Sequence, residues 1–172
     1  MKAAPVEPSF TEQRDAILSV VYAMSKADSS RLEDFKALAT GFAKRGMGVG
    51  AVAPPTRSKT LDEAVESNAF KGEVSIKDLV LDDSARSCDR DGKLDAAESG
   101  QLSFTVTNSG WLGLKQPRVQ VISSDPAVSI DRAGFIQLDA LGPYDETKLK
   151  IGVSVAANKR GRSLLKVMLK PS

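Results

Sequence analysis

Histidine is absent from this 172-residue chain. That excludes His-based general acid–base chemistry, a Ser-His-Asp triad and every His-ligated zinc site within it. Cysteine occurs once, as Cys88, so no disulfide closes within the chain and no cysteine cluster holds a metal. No apolar run approaches the ~20 residues of a membrane-spanning helix. An excess of one charge is missing too: 24 Lys and Arg stand against 22 Asp and Glu, a net of +2. Nucleic acid and anionic membranes are therefore not expected partners. Met1-Lys2-Ala3-Ala4-Pro5 lacks the apolar stretch of a secretory signal. Either the protein stays in the cytoplasm or the signal belongs to sequence upstream, and the motifs below favour the second.

What is present is a globular balance, 41% hydrophobic and 27% charged, enough apolar surface for a core. Residues 9–46 carry helical spacing. Ser9 and Glu12 have the separation of a capping box, and Phe10, Ile17, Val20, Val21 and Met24 form a stripe with Arg14, Asp15 and Lys26 away from it. Ala27-Asp28-Ser29 breaks this helix. Ser30 and Glu33 predict a second capping box, followed by a stripe of Phe35, Leu38, Ala39, Phe42 and Ala43 and a left-handed cap at Gly46. The expectation is an antiparallel helical hairpin over 1–53, too small to bury both stripes by itself. Gly46-Met47-Gly48-Val49-Gly50 follows a helix and runs into Pro54-Pro55, the wrong context for a phosphate loop, and reads as an exit into extended chain.

Residues 54–73 read as a polar linker, with a short helix expected at Leu61–Val65 and Phe70 anchoring its far end. Val74, Ile76, Leu79 and Leu81 then form a strand pattern with a register break. Next comes Ser87-Cys88-Asp89-Arg90-Asp91-Gly92-Lys93-Leu94-Asp95-Ala96-Ala97-Glu98. Against the twelve positions of a calcium loop, Ser87 stands first, Asp89 third, Asp91 fifth, the Lys93 carbonyl seventh, Asp95 ninth and Glu98 twelfth, with Gly92 at the sharp turn. Calcium wants six to eight hard oxygens, and this spacing curls four carboxylates around one point. Leu94 falls where such a loop turns an apolar residue inward. Ser87 replaces the usual first Asp, a weakness that Asp82 or Asp83 can repair. An acidic surface turn without metal is the other reading; agreement at six positions together favours calcium.

From Gly100 onward, short alternating segments recur at roughly ten-residue spacing. Leu102–Thr107, Val119–Ser123, Val128–Ile130, Phe135–Leu138, Leu149–Val155 and Leu164–Leu169 predict six or seven antiparallel strands with the first, and thus an immunoglobulin-like β-sandwich over 74–172. The fold class is α+β. Asn158-Lys159-Arg160-Gly161 is expected to close a hairpin with Lys159, Arg160 and Arg162 at a solvated tip. Trp111 is expected at the end of the sandwich, with a sugar-stacking platform as the alternative, and Cys88 as a small buried thiol or an intermolecular disulfide.

Two strings carry a resemblance. Pro8-Ser9-Phe10-Thr11-Glu12-Gln13-Arg14-Asp15-Ala16-Ile17-Leu18 and Phe42-Ala43-Lys44-Arg45-Gly46-Met47-Gly48 resemble the end of the catalytic domain in fungalysin-type peptidases, which are secreted and thermolysin-like. The resemblance covers about residues 8–55. It implies a C-terminal helical lobe belonging to a zinc metallopeptidase. The family's zinc-binding His-Glu-x-x-His helix has no counterpart here, so no catalytic residue is carried over, and zinc belongs to sequence upstream. The acidic loop, and the strand ending in Asn108-Ser109-Gly110, resemble calcium-loop accessory domains of secreted bacterial proteins. Together they imply a non-catalytic, secreted fragment with the upstream catalytic domain as partner and a protein or glycan substrate. The alternative is a stand-alone extracellular binding or adhesion module. An independent hydrolase using Asp and Glu alone is disfavoured, because metal explains the one dense acidic cluster better.

Overall fold

Helix α1 (Phe10–Ala27) opens with the expected capping box: the Ser9 hydroxyl accepts the Glu12 N–H, and Glu12 accepts the Ser9 N–H at 2.8 Å. A single 3-10 turn (Ser29–Arg31) joins it to α2 (Leu32–Ala43). The second expected capping box does not form. Asp28 accepts the Ser30 N–H instead, α2 has no side-chain cap, and Glu33 pairs with Lys36 at 2.7 Å. Asp28 reaches the turn first because its short carboxylate fits the N–H two residues on. Gly46, at φ 76°, ends the helical stretch as expected. The computed structural model describes residues 4–55, 57–87, 89–132, 134–161 and 163–171, so the readings of Cys88 and Arg162 lie outside the described residues.

The buried side of α1 differs from the predicted stripe. Arg14, Ala16, Leu18 and Ser25 are buried, while Phe10 is 79% exposed and Ile17, Val20 and Met24 are exposed as well. Arg14 replaces an apolar residue there because backbone and an aromatic ring meet its guanidinium. It donates through Nη1 to the carbonyls of Met47 and Gly48, both at 2.9 Å, and grips Asp15 through Nε and Nη2. It also lies 5.3 Å from the centre of the Trp111 ring, a contact worth about 2 kcal/mol when desolvated. Burial pushes the Asp15 carboxyl up, against the pull of Arg14.

The chain divides into two compact units: Met1–Glu73 with Gly110–Leu112, and Val74–Ser109 with Gly113–Ser172. Trp111 thus belongs with the helices, contrary to the expectation that placed it at the sandwich end. Its backbone N–H donates to the Lys71 carbonyl at 2.8 Å, and Phe70 meets its ring edge-on at 6.0 Å. Gly110 permits that approach, since a Cβ there would lie 2.4 Å from the Lys71 oxygen. The expected helix at Leu61–Val65 is absent. Val65 bonds Val52 instead, and Gly48 and Val49 donate to Ser67 and Ala69, so 46–52 and 65–69 satisfy one another as extended chain. Ala16, Leu18, Phe35, Ala39, Ala43, Val49 and Trp111 form the buried apolar set of this unit. Among the described residues no helix is long and apolar enough to cross a membrane.

The second unit contains two antiparallel sheets, making the chain α+β. Strands β1 (Val74–Arg86), β2 (Ser99–Asn108), β6 (Glu146–Val155) and β4 (Val128–Ile130) lie in the order β1-β2-β6-β4; β5 (Ile136–Gln137), β3 (Arg118–Ser123) and β7 (Leu165–Lys170) lie in the order β5-β3-β7. The break foreseen in β1 falls between Lys77 and Val80. Period-two alternation sends Leu102, Phe104, Val106, Val119, Val121, Ile151 and Val153 into one cluster fed by both sheets. Each fully buried aliphatic side chain contributes about 1.5–3 kcal/mol. Asn108, fully buried, donates to the Leu141 carbonyl at 3.0 Å.

The segment 156–164 is not the expected hairpin, because β6 and β7 lie in different sheets. Nor is Lys159 a solvated tip. It is 14% exposed and meets Asp125 Oδ2 at 2.5 Å, where the Ser163 hydroxyl also donates. Lys159, then Ser163 and the Ala127 N–H, hold the Asp125 carboxyl down at about 2. A carboxyl depressed in the fold stabilises above its unfolded value of about 4 and loses that contribution as pH falls through the folded one. Thermal melts should show wild type above Asp125→Asn at pH 5, with the gap closing between pH 4 and 2. A gap unchanged over that window contradicts the assignment.

Candidate metal centre

The acidic loop starts where β1 ends. Asp83 points inward from β1 at 5% exposure, and its Oδ2 accepts the Gly92 N–H at 3.0 Å. One hydrogen bond therefore ties the apex of the loop to the strand nine residues earlier. Gly92 makes the apex possible with φ 79°, a conformation costly for residues with a Cβ. Below it, the Ser87 hydroxyl accepts the Arg90 N–H at 3.0 Å and lies 3.2 Å from Asp89 Oδ1. The exit is fixed from another strand. Ala97 donates to the Val155 carbonyl and Val155 to the Glu98 carbonyl, while Leu94 packs against the apolar cluster, as its place in the loop pattern implies.

These ties bring carboxylate oxygens of Asp83, Asp89 and Asp91 within 4.8 Å of one another. Asp83 is buried and the other two are exposed. Asp89 and Asp91 come from the predicted set; Asp83, one of the two upstream residues offered in place of the missing first Asp, joins from outside the loop. The remaining members are engaged locally. Lys93 donates its N–H to Asp91 Oδ1 at 2.9 Å and sets its ammonium on Asp91 Oδ2, which is the main reason the Asp91 carboxyl is held below its usual value. Glu98, 6% exposed, accepts the Asp95 N–H at 2.9 Å and so clamps the turn that Asp95 begins. Asp82 serves its own turn by accepting the Ser84 N–H. Hard oxygens gathered at this spacing suit a hard divalent cation, which the Lys93 ammonium only partly replaces.

Like charges this close repel when no cation is bound. With a chelator present, Asp89→Asn should therefore leave the melting temperature unchanged or raise it by about 1–2 °C. A fall of several degrees in differential scanning calorimetry would mean that Asp89 acts as a structural acceptor instead. Among known proteins, no family model matches this chain and no curated protein matches it.

Proposed function

We propose that this chain is the non-catalytic C-terminal portion of a fungalysin-like secreted zinc metallopeptidase, in which the sheet unit is a calcium-binding, immunoglobulin-like accessory sandwich. One observation carries the proposal. Arg14, in the first of the two strings that resemble the peptidase family, donates to the carbonyls of Met47 and Gly48 in the second, more than thirty residues further along the chain. Motif halves that share one buried hydrogen-bonding centre form a structural element, and accidental matches have no reason to meet.

The exposed apolar residues of α1, Phe10, Ile17, Val20 and Met24, fit a helix whose cover is a larger catalytic domain. In this reading the zinc and its histidines lie upstream. Strand order supports the sandwich: β1-β2-β6-β4 corresponds to strands A, B, E and D of the immunoglobulin arrangement, and β3 and β7 to C and F. Calcium would be held by Asp83, Asp89 and Asp91, with Ser87, the Lys93 carbonyl, Asp95 and Glu98 as the other loop positions. Such an ion supplies the charge that lets these carboxylates converge and stiffens the sandwich entrance. A stand-alone binding module is the second reading. It is favoured by the buried set of the helical unit, which Trp111 completes from within this chain.

The test is the genomic sequence immediately upstream of the Met1 codon. An in-frame His-Glu-x-x-His motif behind a signal sequence is the expected result. A stop codon followed by a separate ribosome-binding site contradicts the peptidase reading and leaves the binding module.

A further inference from the structure

The two sheets treat their outward cations differently. On the four-stranded sheet, Lys77 is paired with Glu146 at 2.6 Å, and Lys150 acts on Asp82. On the three-stranded sheet, alternation turns Val119 and Val121 of β3, and Val167 and Leu169 of β7, into the apolar cluster. Arg118, Gln120 and Ile122 of β3, and Lys166, Met168 and Lys170 of β7, therefore lie on the opposite face. None of these positions is acidic. Among the described residues no carboxylate lies within ion-pair distance of Arg118, Lys166 or Lys170.

Arg118 and Lys170 stand directly opposite each other in the β3–β7 register. Like charges placed so are destabilising. Phe135, 39% exposed, holds them together: the Arg118 guanidinium is 6.0 Å and the Lys170 ammonium 4.7 Å from the ring centre. A ring that attracts both cations offsets part of their repulsion. Lysine on an edge strand such as β7 also discourages unwanted strand pairing. That explanation does not reach Arg118, which lies on the central strand β3, nor the shared ring.

We propose that this face binds an acidic polysaccharide, with Arg118 and Lys170 together gripping one oxyanion, a sulfate or a carboxylate. The inference rests on the sheet unit alone and is independent of the peptidase reading. Lys166 lies four residues from Lys170 along β7, about 13 Å away at strand rise, so a second anionic group at that distance is accommodated and a polymer is preferred to a lone ion. Gln137 stands opposite Arg118 on its other side, and Gln120 follows it by two residues on β3. Neutral amides that donate and accept suit sugar hydroxyls. Single-stranded nucleic acid would need a free aromatic face for base stacking, and here Phe135 is engaged by two cations. Recognition of an anionic membrane calls for clusters of four to eight basic residues, and this face has three.

The test is calorimetric titration of the full chain with dextran sulfate and with polygalacturonate in 0.1 M NaCl, with neutral dextran as control. Wild type should bind one or both acidic polymers, more weakly as salt rises, and should ignore neutral dextran; the polymer preferred identifies the oxyanion. Arg118→Gln/Lys170→Gln should weaken binding at least tenfold without lowering the melting temperature, and Phe135→Leu by about threefold. Lys148→Gln/Lys150→Gln, on the other sheet, should stay within twofold of wild type. Absence of binding overturns the proposal, as does an equal loss in both double variants. Tighter binding to oligo-dT, polyglutamate or phosphatidylserine vesicles overturns it in favour of that class of partner.

Discussion

Charge removed from water must be met by hydrogen bonds or by opposite charge, and this constraint organises both units of the chain. Arg14, Asp83 and Glu98 are each exposed by no more than 6%, and each is placed where it satisfies backbone groups that secondary structure leaves unpaired. Arg14 collects the carbonyls of Met47 and Gly48. Asp83 takes the Gly92 N–H, and Glu98 takes that of Asp95. In each case a long or bulky apolar side chain could fill the space, but the backbone groups would lose their partner. These residues therefore decide where loops stop, while the apolar clusters decide only that elements pack.

In the sheet unit this has a chemical consequence. The bond from Asp83 to Gly92 closes the acidic loop onto β1 and brings a buried carboxylate beside two exposed ones. Buried acid near exposed acid is an unfavourable arrangement alone and a favourable one around a divalent ion. The loop is built from the strand side, not from a pair of flanking helices, so its geometry depends on β1 and β6. The register shift in β1 between Asp82 and Arg86 and the bonds of Ala97 and Val155 are parts of the same device.

Much of the strand pattern was legible, because alternation in Leu102–Val106 and Leu149–Val155 reports burial directly. The turn at Gly92 was legible for a similar reason, since the glycine that allows its positive φ is a local signal. What stayed hidden was tertiary. A buried arginine looks like a surface residue in a periodicity count, so the inward side of α1 was misjudged at Arg14 and Phe10. Trp111 sits among strand signals, and only a long-range bond to Lys71 assigns it to the helical unit. Asp28 outcompeted Ser30 as a cap because both are good cap residues and only the backbone path chooses between them. The facing of Arg118 and Lys170 depends on a register between strands over forty residues apart, which no local pattern encodes.

Whether Asp83 and the acidic loop form one cation site decides how the sheet unit is built around its entrance. The measurement is calorimetric titration of calcium into the chelator-stripped full chain, for wild type and for Asp83→Asn, whose amide oxygen still accepts the Gly92 N–H. Wild type should bind saturably at one site, and the variant with at least tenfold weaker affinity. No binding at millimolar calcium, or equal affinity in the two proteins, would contradict this.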